Sequence, residues 1–168
     1  MNTLISTSSS APIQVKDRTI SFLSEVIDLH KIRAALYANI AANTDDSFLK
    51  TFFQRMATNS RRFRTELAIF ADKSINPITE KVMKRIEKIW KEAGRYMQQN
   101  NLAGLFQTWN SLEEIMIDAY LKVAANTGIR GNYRKIILKQ IDCLRKDRNV
   151  YRFVESIFLQ KMQLQPTV

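Results

Sequence analysis

Apolar residues recur along this chain in alternating steps of three and four, the period of one face of an amphipathic helix. The first such stripe is Ile20, Leu23, Ile27, His30, Ala34, Tyr37 and Ala41, and the second is Leu49, Phe53, Met56, Ser60, Phe63, Leu67 and Phe70. The third is Leu102, Phe106, Trp109, Glu113, Met116, Tyr120 and Val123. The fourth is Ile137, Ile141, Leu144, Arg148, Tyr151, Glu155 and Phe158, flanked by Ile136, Val154 and Ile157. These stripes predict core helices over 17–43, 46–72, 102–126 and 132–162. Asp17 is placed to cap the first, and Asn43 to Ser47 both ends it and caps the second. Asp72 to Thr79 interrupts the pattern. Asn76-Pro77 then suits the start of a further helix over 77–98, since proline is tolerated at a first helical position. Only Val82, Ile86, Ile89, Trp90 and Met97 give that segment an apolar edge, so it reads as a short crossover helix anchored by Trp90. Residues 1–16, rich in Ser and Thr, read as a flexible N-terminal arm.

The pattern also repeats. Tyr37-Ala38-Asn39-Ile40-Ala41-Ala42-Asn43-Thr44 is answered by Tyr120-Leu121-Lys122-Val123-Ala124-Ala125-Asn126-Thr127. In each copy a helical stripe precedes the tyrosine, and a turn with a second stripe follows the threonine. The repeated unit is therefore a helical hairpin, because so short a connection forces its helices antiparallel. Two hairpins joined by one long crossover form the layout of a ferritin-like four-helix bundle. An all-α fold over 17–164 is the expectation.

Composition narrows the class without deciding a function. Four glycines and three prolines in 168 residues are too few for a loop-rich or all-β protein. The single cysteine, Cys143, excludes an intramolecular disulfide and suits a reducing compartment. The first ten residues resemble neither a secretory signal nor a membrane span, so the expected location is cytoplasmic. The net charge of +10 gathers mostly after residue 128 and in the 74–99 segment. A basic surface admits nucleic acid or an acidic partner, although no arginine-rich run marks a binding motif. No phosphate-binding glycine loop, cysteine cluster or serine-centred elbow is present. No catalytic constellation emerges, and no cofactor is implied.

Each core stripe is broken by a polar residue near its middle: His30, Ser60, Glu113 and Arg148. His30 lies seven residues before Tyr37, and Glu113 seven before Tyr120. A shift of 85 places Ser60 on Arg145 and Phe63 on Arg148. The interruptions are thus expected at one level of the core. In ferritin-like di-metal proteins that level takes one Glu from each of two helices and a Glu-x-x-His pair from each of the others. One histidine cannot supply two such pairs, and Ile27 stands where its own partner carboxylate would be. The metal site accordingly reads as lost, its level marked by His30, Ser60, Phe63, Glu113, Arg145 and Arg148, with Tyr37 and Tyr120 nearby. Two arrangements would satisfy Glu113: a buried pair with Arg148, or a place at the bundle edge with both arginines reaching solvent.

From about Thr19 to Val154 the chain resembles the uncharacterised bacterial ferritin-like four-helix-bundle domain, a domain-of-unknown-function family. Val26-Ile27-Asp28-Leu29 running to Arg33 and Tyr37, and Phe53-Gln54 running to Arg62-Phe63 and Glu66-Leu67, carry the likeness. Trp90, Glu113-Glu114 before Tyr120, and Arg134 with Gln140 complete it. The resemblance implies a ferritin-like fold, a bacterial cytoplasmic setting and a link to stress responses. Ala34-Ala35 and Arg148 depart from the family, which commonly carries an acidic residue and a His there. The expectation is a non-enzymatic bundle with a degenerate metal site. Alternatives are a residual iron- or manganese-binding protein and a basic DNA-associated stress protein. The long apolar end of the last helix (Val150, Phe153, Val154, Ile157, Phe158) points to a homodimer.

Overall fold

The computed structural model describes residues 11–70, 78–126, 129 and 131–164, with side chains described from residue 22 to residue 160 within those limits. The described residues form five helices and no strand: α1 (Ala11–Ala42), α2 (Ser47–Ala68), α3 (Glu80–Gln98), α4 (Leu102–Ala125) and α5 (Gly131–Leu164). Among them no helix is long and apolar enough to cross a membrane.

The ends of the helices follow local chemistry. Asp46 caps α2 by accepting from the Leu49 amide at 2.9 Å, and Asn101 caps α4 by accepting from the Gly104 amide at 2.9 Å. Asn100, at φ 50°, and Gly131, at φ 65°, take left-handed conformations where the chain reverses. Two expectations about starts do not hold. Helix α1 begins at Ala11, so Asp17 lies inside it and residues 11–16 are helical. Helix α3 begins at Glu80, with Thr79 at the cap position; Asn76-Pro77 falls outside the described residues. Nor is α3 short, since its 19 residues approach the 22 of α2.

Directions can be read from which residues meet. Along α1 and α4 the pairs Glu25 with Lys122, His30 with Tyr120, and Tyr37 with Glu113 run in opposite senses. Along α2 and α5 the pairs Phe48 with Phe158, Asn59 with Asp147, and Phe70 with Tyr133 do the same. Helix α1 packs on α2 and α4, and α5 packs on α4 and α2. Each of these four helices is therefore antiparallel to its two neighbours in the ring α1, α2, α5, α4. Helix α3 lies on α4, burying Ile86, Ile89 and Ala93, with Trp90 half-buried beside Ile32 and Ala35 of α1. An aromatic cluster around fully buried Trp109 fills one half of the core; Tyr151 lies 4.0 Å and Phe53 4.6 Å from it, centroid to centroid. Such packing contributes beyond simple burial and fixes the helices beside the polar layer.

The stripes predicted for α2 and α4 face inward as read, except that Phe70 is 41% exposed and Leu102 is half-buried. In α5 the inward stripe is rotated by one residue. Gln140, Asp147 and Val154 are buried with Ile137, Leu144 and Tyr151, whereas Arg148 and Glu155 lie at the rim. Both readings keep three- and four-residue steps, and only tertiary packing chooses between them.

Candidate functional site

The polar interruptions converge, and a residue outside the predicted set stands at their centre. Arg33 projects from α1 one turn after His30 and one before Tyr37, and none of its surface is exposed. Its Nε donates to Glu113 Oε1 at 2.7 Å and its Nη2 to Glu113 Oε2 at 3.2 Å, a bidentate pair. Its Nη1 donates to Ser60 Oγ at 2.6 Å, and Asp147 Oδ2 lies 3.9 Å from Nη2. Tyr37 donates its hydroxyl proton to the same carboxylate of Glu113. Burial disfavours the Arg33 charge, but Glu113, Tyr37 and Asp147 outweigh it and hold the guanidinium above its ordinary value. Burial, and secondarily Glu113, raises the Tyr37 phenol well above its usual range, so it remains a donor.

A second chain of hydrogen bonds leads outward. The Gln140 Nε2 donates to Glu66 Oε2 at 2.7 Å, which orients its amide and turns Oε1 toward Tyr120. An amide oxygen can only accept, so Tyr120 donates to it, at 2.5 Å. The Tyr120 oxygen then accepts from His30 Nε2 at 2.6 Å. His30 is thereby fixed as the tautomer protonated on Nε2. Its Nδ1 is buried with no hydrogen-bond partner among the described residues. Burial, reinforced by the Arg33 charge, lowers the His30 pKa well below its ordinary value and keeps the ring neutral. Phe63 closes that side, its ring edge-on to His30 at 5.6 Å.

Ser60, Glu113 and Tyr37 thus meet around Arg33, and Phe63 and Tyr120 meet around His30, one turn away along α1. Arg145 and Arg148 do not join them. Arg145 is exposed, and Arg148 reaches Glu114 at the rim, 3.3 Å away. Glu113 is paired with Arg33, not with Arg148, because α5 turns Asp147 rather than Arg148 into the core. Arg33, Glu66, Gln140 and Asp147 were missed as members of the cluster. Spacing could have found them: Arg33 lies between His30 and Tyr37 at steps of three and four, as Gln140 and Asp147 do around Leu144.

The donor set does not fit a di-metal centre. A fixed cation already takes both oxygens of the central carboxylate, and the described residues offer no group of three or more His, Cys, Asp or Glu able to hold a metal ion. For acid–base chemistry the Arg33, Glu113 and Tyr37 group is equally committed, since its members bond one another and lie away from solvent. No protein-family model matches this chain, and no curated protein or solved structure matches it with significance.

Proposed function

We propose that this chain is a ferritin-like bundle, built from two duplicated hairpins, in which an arginine replaces metal charge at the core and which acts as a non-enzymatic bacterial, cytoplasmic, stress-associated protein. The observation that carries this reading is the bidentate Arg33–Glu113 pair, completed by Tyr37 and Ser60. The antiparallel ring of α1, α2, α5 and α4, with α3 returning the chain between hairpins, supports the ferritin-like assignment. A cation brought to this level would meet a guanidinium that cannot be deprotonated. The buried network instead fixes helix register, the best-attested use of polar groups in a core.

The test is reconstitution of the purified protein with Fe(II) and with Mn(II), followed by elemental analysis after desalting. This reading expects well under one ion per chain and an unchanged melting temperature. One or two tightly held ions, lost in Glu113→Gln, would establish the alternative of a residual iron- or manganese-binding protein.

Self-association through the end of α5 belongs to the same proposal. Phe153 and Val150 are 66% and 47% exposed, while Val154 and Phe158 are used within the chain. Light scattering at high concentration should give twice the 19.5 kDa chain mass and fall to one with Phe153→Glu. A strict monomer removes the dimer from the proposal.

A further inference from the structure

The charge of the protein is concentrated on two neighbouring helices. Helix α2 carries five basic residues against one acidic, and α5 carries eight against three, so together they account for nine of the ten net charges. The third helix is also rich in lysine, but its six basic residues stand against three acidic ones, so it adds only three net charges.

The seam between α2 and α5 organises this charge. On α2, Asn59 bonds Asp147 of α5, and Glu66 bonds Gln140. Arg55 and Arg62 stand four residues before and three after Asn59, on the same flank, and Arg55 is near enough to act electrostatically on Asp147. On α5, Lys139 and Lys146 each precede a seam residue. The opposite flank of α5 is taken up by contacts with α4, where Arg134 reaches the Ala124 carbonyl and Arg148 reaches Glu114. All four side chains of the two rows are exposed, and the pairs that Arg62 makes with Glu66 at 3.8 Å and Lys146 with Asp142 at 2.7 Å lie at the surface, where a phosphate can compete for the cation. Within each row the charges are seven residues apart, about 10.5 Å along the helix. The antiparallel register sets Arg62 at a height between Lys139 and Lys146.

We propose that the α2–α5 face, through Arg55, Arg62, Lys139 and Lys146, binds the phosphate backbone of a nucleic-acid duplex without reading its sequence. Two rows of exposed cations, carried on helices, complement a polyanion that presents about one charge per 1.7 Å of its axis. The seam between the rows is floored by Asn59, Glu66, Gln140 and Asp147. Those polar groups offer a bilayer no apolar surface, and phosphates would meet the exposed cations on either side of the seam rather than the carboxylates of Glu66 and Asp147. This inference does not depend on the core reading given above.

The experiment is fluorescence anisotropy with a labelled 30-base-pair DNA of arbitrary sequence, titrated with the full chain at several salt concentrations. Binding is expected at 50 mM salt, with log K falling against log salt at a slope of about −3.6 or steeper for four phosphate contacts. A variant with Arg55→Gln, Arg62→Gln, Lys139→Gln and Lys146→Gln should bind at least tenfold more weakly and with a slope shallower by about 3.6. The control removes the same charge from α3, with Lys81, Lys84, Lys88 and Lys91 each changed to Gln, and should keep most of the affinity. Circular dichroism melting verifies that both variants fold. Equal losses in the two variants would overturn the assignment to this face. Absence of duplex binding at 50 mM salt, or binding to anionic vesicles of phosphatidylglycerol but not to duplex, would overturn the proposal altogether.

Discussion

Glu113 on α4 occupies the place that His30 occupies on α1. Each stands seven residues before a tyrosine, and each is met across the bundle by the other helix's tyrosine: Tyr37 donates to Glu113, and Tyr120 accepts from His30. The duplicated sequence has become a pair of reciprocal hydrogen bonds between antiparallel helices. The two bonds have different energetics, because one partner is a carboxylate and the other a neutral ring.

That difference is measurable. Tyr37→Phe removes a hydrogen bond to a charged group and should cost about 2 kcal/mol, within the range for such bonds. Tyr120→Phe strands two buried groups at once, the His30 Nε2 proton and the Gln140 Oε1 acceptor, at about 1–3 kcal/mol each. Urea denaturation should therefore rank Tyr120→Phe as the more damaging substitution. The reverse order would mean that the amide and imidazole find other partners.

The Arg33–Glu113 pair makes a sharper prediction. Arg33→Met leaves an uncompensated carboxylate in the core and should cost about 3–5 kcal/mol. Combining it with Glu113→Leu removes both charges and should recover most of that loss, since apolar replacements of a buried pair are often neutral or better. A double-mutant cycle in guanidinium chloride measures the coupling. By contrast Arg148→Ala, which breaks only a rim contact with Glu114, should change stability by less than about 1 kcal/mol. A large effect at Arg148 would return it to the core network.

These residues also show what the sequence made legible. The helices, the hairpin repeat and the inward placement of His30, Ser60, Glu113 and the two tyrosines could all be read from periodicity. The cation fits the same spacing, between His30 and Tyr37, but spacing does not single it out. Ala34 beside Arg33 fits the stripe equally well, and arginine is rarely buried without a partner, so the pattern alone takes Ala34. In α5 the positions 140, 147 and 154 compete with 141, 148 and 155 at the same spacing. Periodicity fixes a helix face only to within about one residue. Choosing Arg148 over Asp147 as the inward residue put the wrong sign of charge in the core.

Glycine provides a test on the α3–α4 hairpin. A Cβ at Gly104 would fall 2.4 Å from the Tyr96 ring, so the ring lies directly on the α4 backbone. At Gly94, inside α3, a Cβ meets nothing within 4 Å. Gly94→Ala should stabilise the protein by about 0.5–1 kcal/mol through helix propensity alone. Gly104→Ala should lower the melting temperature despite the same gain in propensity, because Tyr96 must leave its seat. Thermal melts of the two variants should move in opposite directions.

The last prediction concerns pH, and the chain's single histidine makes it clean. His30 is held well below its ordinary pKa by burial and then by Arg33, whereas in the unfolded chain it titrates near 6.5. As pH falls below about 6.5 the unfolded state takes up a proton that the folded state refuses. Stability should then drop by up to about 1.4 kcal/mol per pH unit from this group. Asp147 acts in the other direction at lower pH. Burial raises its pKa against the opposing pull of Arg33, so the folded state binds its proton first and gains stability as the acid range is entered. Between pH 7 and 5 the histidine term should dominate. His30→Gln removes that term while leaving Arg33, Glu113, Asp147 and Tyr120 in place. Urea midpoints measured at pH 7, 6 and 5 should fall more steeply for the wild-type protein than for His30→Gln. Parallel curves would show that the folded protein accepts the proton on the bare Nδ1, and that the imidazole is less enclosed than its burial indicates.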